Sequence, residues 1–153
     1  MKAIQDYYNE SFSQCYGCGR LNEKGLQIKT VWDGDETVTR FTPEPYHTAI
    51  PGVTYGGLLA SIMDCHGTGS ASLALAREHN IDLKGYNAPR CVTASLKVDY
   101  KKPTPINAPL EIRGKIVEVK GKKVIVDARV ISNGEVTVTG QIIAIQVGED
   151  FGA

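Results

Sequence analysis

One segment constrains the fold of this chain more than any other. Tyr55-Gly56-Gly57-Leu58-Leu59-Ala60-Ser61-Ile62-Met63-Asp64-Cys65-His66-Gly67 opens a stretch that runs to about Glu78 and reads as a single long helix. Between Glu44 and Arg77 its only formally charged side chain is Asp64. Gly67 and Gly69 each cost a helix interior about 1 kcal/mol against alanine. With Ala60, Ser61, Thr68, Ser70, Ala71 and Ser72 they make a thin rod with few side chains to keep a neighbour at a distance. Such a helix is expected to lie buried and close to a sheet that wraps it. A carboxylate inside it costs several kcal/mol unless paired or hydrogen-bonded, which marks Asp64 as a candidate functional group.

The rest of the chain supplies the sheet. Leu26–Trp32 and Thr37–Phe41 read as two strands joined by Asp33-Gly34-Asp35-Glu36, and Pro43, Pro45 and Pro51 mark a loop. After a loop from His79 to Pro89, Cys91–Tyr100 alternates, with Val92, Ala94, Leu96 and Val98 on one face and Thr93, Ser95, Lys97 and Asp99 on the other. Leu110–Val119, Lys123–Ile131 and Val136–Val147 follow, the last two divided by a turn containing Asn133-Gly134. The expected order is two strands, one helix, then four strands in a meander. That is an α+β fold, one long buried helix wrapped by a single antiparallel β-sheet, over one domain spanning 1–153 with 1–25 as an N-terminal arm. The uncovered sheet face, with apolar residues such as Ile143 behind Ile142, predicts assembly into a homodimer or homotetramer.

Composition narrows the function classes. Lysine plus arginine number 17 and aspartate plus glutamate 17, so net charge gives no support to a nucleic-acid partner. No run reaches the roughly 20 apolar residues that span a bilayer, and no membrane association is expected. The polar start does not read as a secretory signal, and four cysteines then suggest reduced thiols in a cytoplasm. Cys15-x-x-Cys18 has the spacing of half a zinc site, but Cys65 and Cys91 stand apart in sequence, so no metal is expected. Cys65 and His66 point about 100° apart on a helix and do not read as a catalytic dyad.

Three motifs in order carry a family resemblance. Gly52-Val53-Thr54-Tyr55-Gly56-Gly57 leads into the helix with Asp64 eight residues beyond Gly56, and Thr93-Ala94-Ser95-Leu96-Lys97-Val98-Asp99-Tyr100-Lys101-Lys102-Pro103 forms a later strand and turn. Cys15-Tyr16-Gly17-Cys18-Gly19-Arg20-Leu21-Asn22-Glu23-Lys24-Gly25-Leu26 precedes both. Together they resemble the hotdog-fold acyl-CoA thioesterases of the PaaI-like, phenylacetic-acid-degradation type. Tyr55 departs from that pattern, which has histidine there.

The resemblance implies hydrolysis of a small, medium-chain or aryl acyl-CoA without any cofactor, coenzyme A being part of the substrate. It makes the Gly56 N–H the donor that polarises the thioester carbonyl, at a helix start kept open by Gly56 and Gly57. Asp64 then activates water or attacks directly, and the residues leave both routes open. Thr93 would position the water or the carboxylate. Thr68, one turn after Asp64, would bond the carboxylate or the substrate, or else the backbone carbonyl of Asp64. Tyr55, Gly57 and His47 are the expected substrate-side residues. Arg90, ahead of Lys101, Lys102 and Arg113, is the expected ligand of the coenzyme A phosphates, and Tyr46, Tyr55, Met63 and Tyr86 hint at an apolar pocket. Gly56 and Asp64 lie about 12 Å apart along one helix at 1.5 Å per residue, so the resemblance implies a site shared by two antiparallel helices of a dimer. A hydratase or dehydratase of the same fold, and a non-catalytic acyl-CoA-binding protein, are the alternatives.

Overall fold

The computed structural model describes residues 2–152, so the expected domain limits at 1 and 153 lie outside the described residues. A single helix, α1 (Gly56–Glu78), lies against a six-stranded antiparallel sheet. The strands are β1 (Val31–Asp33), β2 (Glu36–Phe41), β3 (Arg90–Tyr100), β4 (Leu110–Lys120), β5 (Lys123–Ser132) and β6 (Glu135–Val147). Their spatial order is β1-β2-β4-β5-β6-β3. Two short 3₁₀ turns, Ile4–Tyr7 and Glu10–Phe12, precede the sheet and fold the arm onto the helix.

The helix is as thin as its composition requires. A Cβ on Gly67 would stand 2.5 Å from Ile142 of β6, and one on Gly69 would stand 2.6 Å from the Gln5 side chain and 2.8 Å from Thr30. Both glycines give up helix propensity so that the rod can touch strand and arm together. Leu58, Leu59, Ile62 and Met63 then pack with Ile112, Val130, Val138 and Ile142, while Ala71 and Leu75 pack with Cys91, Val124, Val126 and Ala144.

A buried polar chain fastens the other side of the helix to β2. His66 is fully enclosed, with Nδ1 2.9 Å from the Thr39 hydroxyl and Nε2 3.3 Å from that of Thr37. Thr37 lies 2.6 Å from Ser70 Oγ, and Thr39 continues the chain at 3.0 Å to Thr30, which accepts from Gln5 at 3.1 Å. Gly114 makes room for the ring, since a Cβ there would stand 2.7 Å from His66 Nε2. Burial pushes the His66 imidazole down to about 3, so it is neutral at ordinary pH.

Three expectations need correction. The first strand is shorter than Leu26–Trp32, because only Val31–Asp33 finds ladder partners on β2. Residue Gln27 has φ of 57°, which breaks an extended run ahead of it. The last four strands do not form one meander: β4, β5 and β6 do, but β3 pairs with β6 at the far edge, never with β4. A β-bulge between Thr93 and Ser95 also breaks the expected alternation of β3. Thr93 pairs with Ala144 and Leu96 with Ile142, so both face the helix despite their odd spacing.

The outer sheet face, where Ile143 lies as expected, also carries clusters of charge. Arg113 there meets Asp33 at 2.6 Å, Glu111 at 2.8 Å and Glu36 at 3.1 Å, and Arg129 meets Glu36 at 2.8 Å. Arg129, with Arg113 behind it, holds the Glu36 carboxyl down at about 2. Apolar residues share this face with them, Ile125 pairing with Ile143, Val92 with Ile145 and Ile131 with Val136.

The hairpins follow their turn chemistry. Asn133 and Gly134, with φ of 51° and 79°, join Ser132 to its partner Glu135, the two positive values that a type I′ turn demands.

Two outcomes are expected. Gly67→Val overpacks the contact with Ile142 and lowers unfolding stability by about 1–3 kcal/mol in urea titration; an unchanged midpoint would mean that helix and sheet have slack there. His66 is neutral when folded, while its unfolded form, with the ordinary value of 6.5, takes up a proton. Its contribution is therefore complete above pH 6.5 and is lost as pH falls toward 3. Between pH 6.5 and 5, above the usual carboxylate range, wild type should lose stability while His66→Gln stays flat.

Candidate active site

Along α1 the half-exposed residues are Gly56, Gly57, Ala60, Ser61 and Asp64. Their spacing of three or four residues per step makes them one stripe that runs from the helix start to the carboxylate. Every side chain between and beyond them, to Ala76, is buried. Asp64 therefore stands where the helix changes from partly open to enclosed.

The Asp64 carboxylate has a partner. Thr93 Oγ1 donates to Asp64 Oδ1. The bulge that follows Thr93 allows this, because it lets Thr93 face the helix while Leu96 and Val98, further on, face it as well. The hydroxyl occupies one carboxylate oxygen and fixes the rotation of the group. Thr68 does not join the pair: its hydroxyl donates to the Cys65 carbonyl at 3.2 Å, one residue from the backbone acceptor weighed in the sequence.

The helix start forms a second centre. Tyr55 sits at the N-cap without a side-chain cap, and its N–H donates to the His47 carbonyl at 2.9 Å. The Leu58 and Leu59 N–H groups return to the Tyr55 carbonyl at 3.1 and 3.3 Å. The Gly56 and Gly57 N–H groups have no acceptor among the described residues and remain able to bind one. The Tyr55 ring lies over Gly57, 2.4 Å from where a Cβ would be. Gly56 lies under Tyr100, whose ring would be 3.3 Å from a Cβ and whose hydroxyl donates to the Gly56 carbonyl at 2.6 Å. Tyr55 and Tyr100 are both exposed, and burial, with Tyr55 nearby, raises the Tyr100 phenol above its ordinary value.

A groove of about 490 Å³ opens at this point, lined by Ala49, Ile50, Val53, Gly56, Leu59, Tyr100 and Pro103 among others. Lys101 and Lys102 also line it. Tyr100 was missed as a site residue although Tyr100-x-x-Pro103 is part of the strand motif; its distance from Gly56 in sequence gave no hint of the bond.

Other expected residues lie elsewhere. His47 holds a turn, its Nδ1 accepting from the Glu44 N–H at 2.9 Å and its ring packed edge-on to Tyr46 at 4.6 Å. It reaches the site through its carbonyl alone. Arg90 points into the N-terminal arm, over the Tyr8 ring at 4.9 Å, and donates to the Cys91 carbonyl at 2.7 Å. Arg113 is held in the outer charge cluster. Of the cations considered for phosphates, Lys101 and Lys102 alone border the groove.

The family model described as the thioesterase superfamily matches residues 51–139, which span the helix, the Thr93 strand and most of the meander. The chain belongs to the thioesterase superfamily. A thioesterase superfamily protein from Shewanella loihica PV-4 is 40% identical, with a TM-score of 0.71 over 94% of this chain and 99% of that one. The Escherichia coli PaaI protein of the phenylacetic acid degradation operon shares the fold at 13% identity, with a TM-score of 0.64 over 80% of this chain and 81% of that one. Acyl-coenzyme A thioesterase THEM4 of Xenopus laevis is 31% identical over 98 residues, 64% of this chain and 38% of that protein. The chain thus spans well under two thirds of the curated relatives it matches, 54% in the Bos taurus THEM4. The hotdog architecture expected of this superfamily is the one observed, a helix against a six-stranded antiparallel sheet. Among the described residues no helix is long and apolar enough to cross a membrane.

Proposed function

We propose that this thioesterase-superfamily chain hydrolyses acyl-coenzyme A thioesters, with Asp64 as the base or nucleophile. The observation that carries the reading is the Asp64–Thr93 pair at the end of an open small-residue stripe whose other end carries unpaired backbone N–H groups. Hydrolysis of a thioester needs both parts: a group that delivers oxygen to the carbonyl carbon, and donors for the oxyanion that develops. The Gly56 N–H is the donor, aided by the positive end of the α1 dipole. Asp64, oriented by Thr93, takes the proton from water or attacks the carbon itself.

The two centres are too far apart on one helix to meet one carbon. The site is therefore shared between two copies, Gly56 from one and Asp64 from the other. Two features support this arrangement. The stripe from Gly56 to Asp64 has no bulky side chain and suits a second helix or an acyl chain. Strand β3 is an edge of 11 residues whose outer side has no ladder partner among the described residues, and edges of that length invite pairing. Two such dimers would make the tetramer.

The apolar lining of the groove fits a small, medium-chain or aryl acyl group, and Lys101 and Lys102 suit the coenzyme A phosphates. The relatives named acyl-coenzyme A thioesterase support the substrate class. A structural neighbour from Streptococcus pneumoniae, 16% identical, was solved with coenzyme A. A hydratase would pair its acid with a histidine. Here His66 is enclosed against β2, His47 braces a turn and His79 caps the far end of α1. The four cysteines are free thiols, which suits a reducing cytoplasm.

Three measurements test this reading. Thiol release from short, medium and aryl acyl-CoA substrates should be lost by about 10²–10⁴-fold in Asp64→Asn with the fold intact; near-normal turnover in the folded variant would sink the assignment. Light scattering at micromolar concentration should give a dimer or larger, and a monomer would reject the shared site. Tyr55→Phe should keep kcat/KM within about tenfold, the loss of one hydrogen bond near 1 kcal/mol. A Tyr55→Phe protein as inactive as Asp64→Asn would put the phenol in the chemistry.

A further inference from the structure

The arm and the helix meet at a cluster of sulfur. The Sγ atoms of Cys15, Cys18 and Cys65 all lie within 4.8 Å of one another, with Cys15 and Cys65 3.8 Å apart. Zinc–thiolate bonds of about 2.3 Å at tetrahedral angles place two sulfurs about 3.8 Å from each other. One pair therefore stands at the edge length of a zinc tetrahedron, and the other two are no more than about 1 Å wider. A disulfide would need two of them to close to about 2.05 Å.

The chain goes to some length to reach this arrangement. Cys15-Tyr16-Gly17-Cys18-Gly19 is a tight loop in which the Gly19 N–H donates to the Cys15 carbonyl at 2.7 Å. A Cβ on Gly19 would stand 2.5 Å from the Cys15 backbone nitrogen, and one on Gly17 would stand 2.2 Å from the Cys65 sulfur. Both positions need glycine, the first to close the turn and the second to seat the helix thiol against it. Gln27 braces the loop by donating to the Gly19 and Asn22 carbonyls at 2.8 and 2.6 Å. The sequence hid the set because its third member lies 50 residues from the first. The expectation of no metal rested on Cys65 and Cys91 standing apart from Cys15 and Cys18 in sequence.

We propose that Cys15, Cys18 and Cys65 form a zinc site that ties the N-terminal arm to α1. Charge selects the ion. Three thiolates and a divalent ion carry one net negative charge, and Arg90 supplies the matching positive one, its Nη2 4.0 Å from Cys18 Sγ. That guanidinium is held in place by the Tyr8 ring and the Cys91 carbonyl. Monovalent copper, which also favours thiolates, would leave a second negative charge unmatched in a half-buried place. The fourth ligand comes from solvent. Cys15 is half-buried and borders a cavity of about 220 Å³ that Arg90, Val92 and Glu149 also line. The site is independent of the thioester reading, since Asp64 is turned to Thr93 and not to the sulfurs.

The test uses the full chain, stripped with a chelator, kept reduced with a non-thiol phosphine, and titrated with cobalt(II) alone. Wild type should develop thiolate-to-cobalt charge-transfer absorption and tetrahedral ligand-field bands that saturate at one ion per chain and disappear on adding zinc. Cys65→Ser should lose them. Cys91→Ala should keep them, because Cys91 is buried apart from the cluster, among Ala71, Leu75 and Ala144. Zinc should raise the melting midpoint of wild type and Cys91→Ala but not of Cys65→Ser. Circular dichroism checks each fold, and if Cys65→Ser does not fold, Cys15→Ser on the cavity side carries the same comparison. Absence of thiolate–cobalt absorption in folded, reduced wild type overturns the proposal, as does a signal that survives loss of Cys65 or Cys15. Acyl-CoA turnover is not read in this experiment, so failure here leaves the hydrolase reading standing, and the reverse also holds.

Discussion

The closeness of α1 to its surroundings governs the rest of this structure. Gly67 against Ile142 and Gly69 against Gln5 and Thr30 let the helix backbone come nearer than any side chain would permit. Each glycine weakens the helix as a helix, and the loss is offset by burial of nearly all of its side chains from Leu58 to Ala76. A helix enclosed this completely must satisfy its polar groups internally. That is why Thr68, Ser70 and Ser72 bond backbone or neighbouring hydroxyls and His66 is met by Thr37 and Thr39. The polar chain from His66 to Gln5 and the apolar contacts with β4, β5 and β6 together fix the rotation of the helix about its axis.

That rotation decides what is left open. With every other face committed, the small-residue stripe is the one along which a ligand or a second helix can approach the first half of α1. Asp64 sits at the inner end of it. The bulge in β3 then completes the geometry by presenting Thr93 to the carboxylate, at the expense of leaving Ala94 exposed on the edge strand. At the outer end, Tyr55 and Tyr100 close over the two glycines, whose N–H groups have no acceptor among the described residues. The charged cluster around Arg113 and Arg129 breaks up the apolar surface of the opposite sheet face, separating Ile131 and Val136 from the Ile125–Ile143 pair.

The N-terminal arm is more than a tail. Tyr8 is fully buried, bonds Ser72 of the helix at 2.9 Å and carries the Arg90 guanidinium on its ring. Gln5 ends the polar chain from His66, and the Cys15–Cys18 loop brings two thiols onto a third from α1. The arm thus links β3, the helix and the start of the sheet, and it draws Arg90 away from the groove.

Much of this was legible in the sequence for a local reason. Helix length, small-residue content, the lone charge at Asp64, the Asn133-Gly134 turn and the hairpin strands depend on side chains a few positions apart, and periodicity reports them directly. The PaaI-like motifs added the family. Tertiary structure alone decided the pairing of β3 with β6, because a meander and a crossover bury the same residues and differ only in which edges meet. It also decided the face of Thr93, since one bulge residue reverses a period-two pattern downstream without changing composition. Arg90 was assigned to phosphate and went to Tyr8, and Cys65 was set aside as isolated and joined Cys15 and Cys18, for one reason. A side chain's partners are set by where the chain returns in space, and a single sequence records only the distance along it.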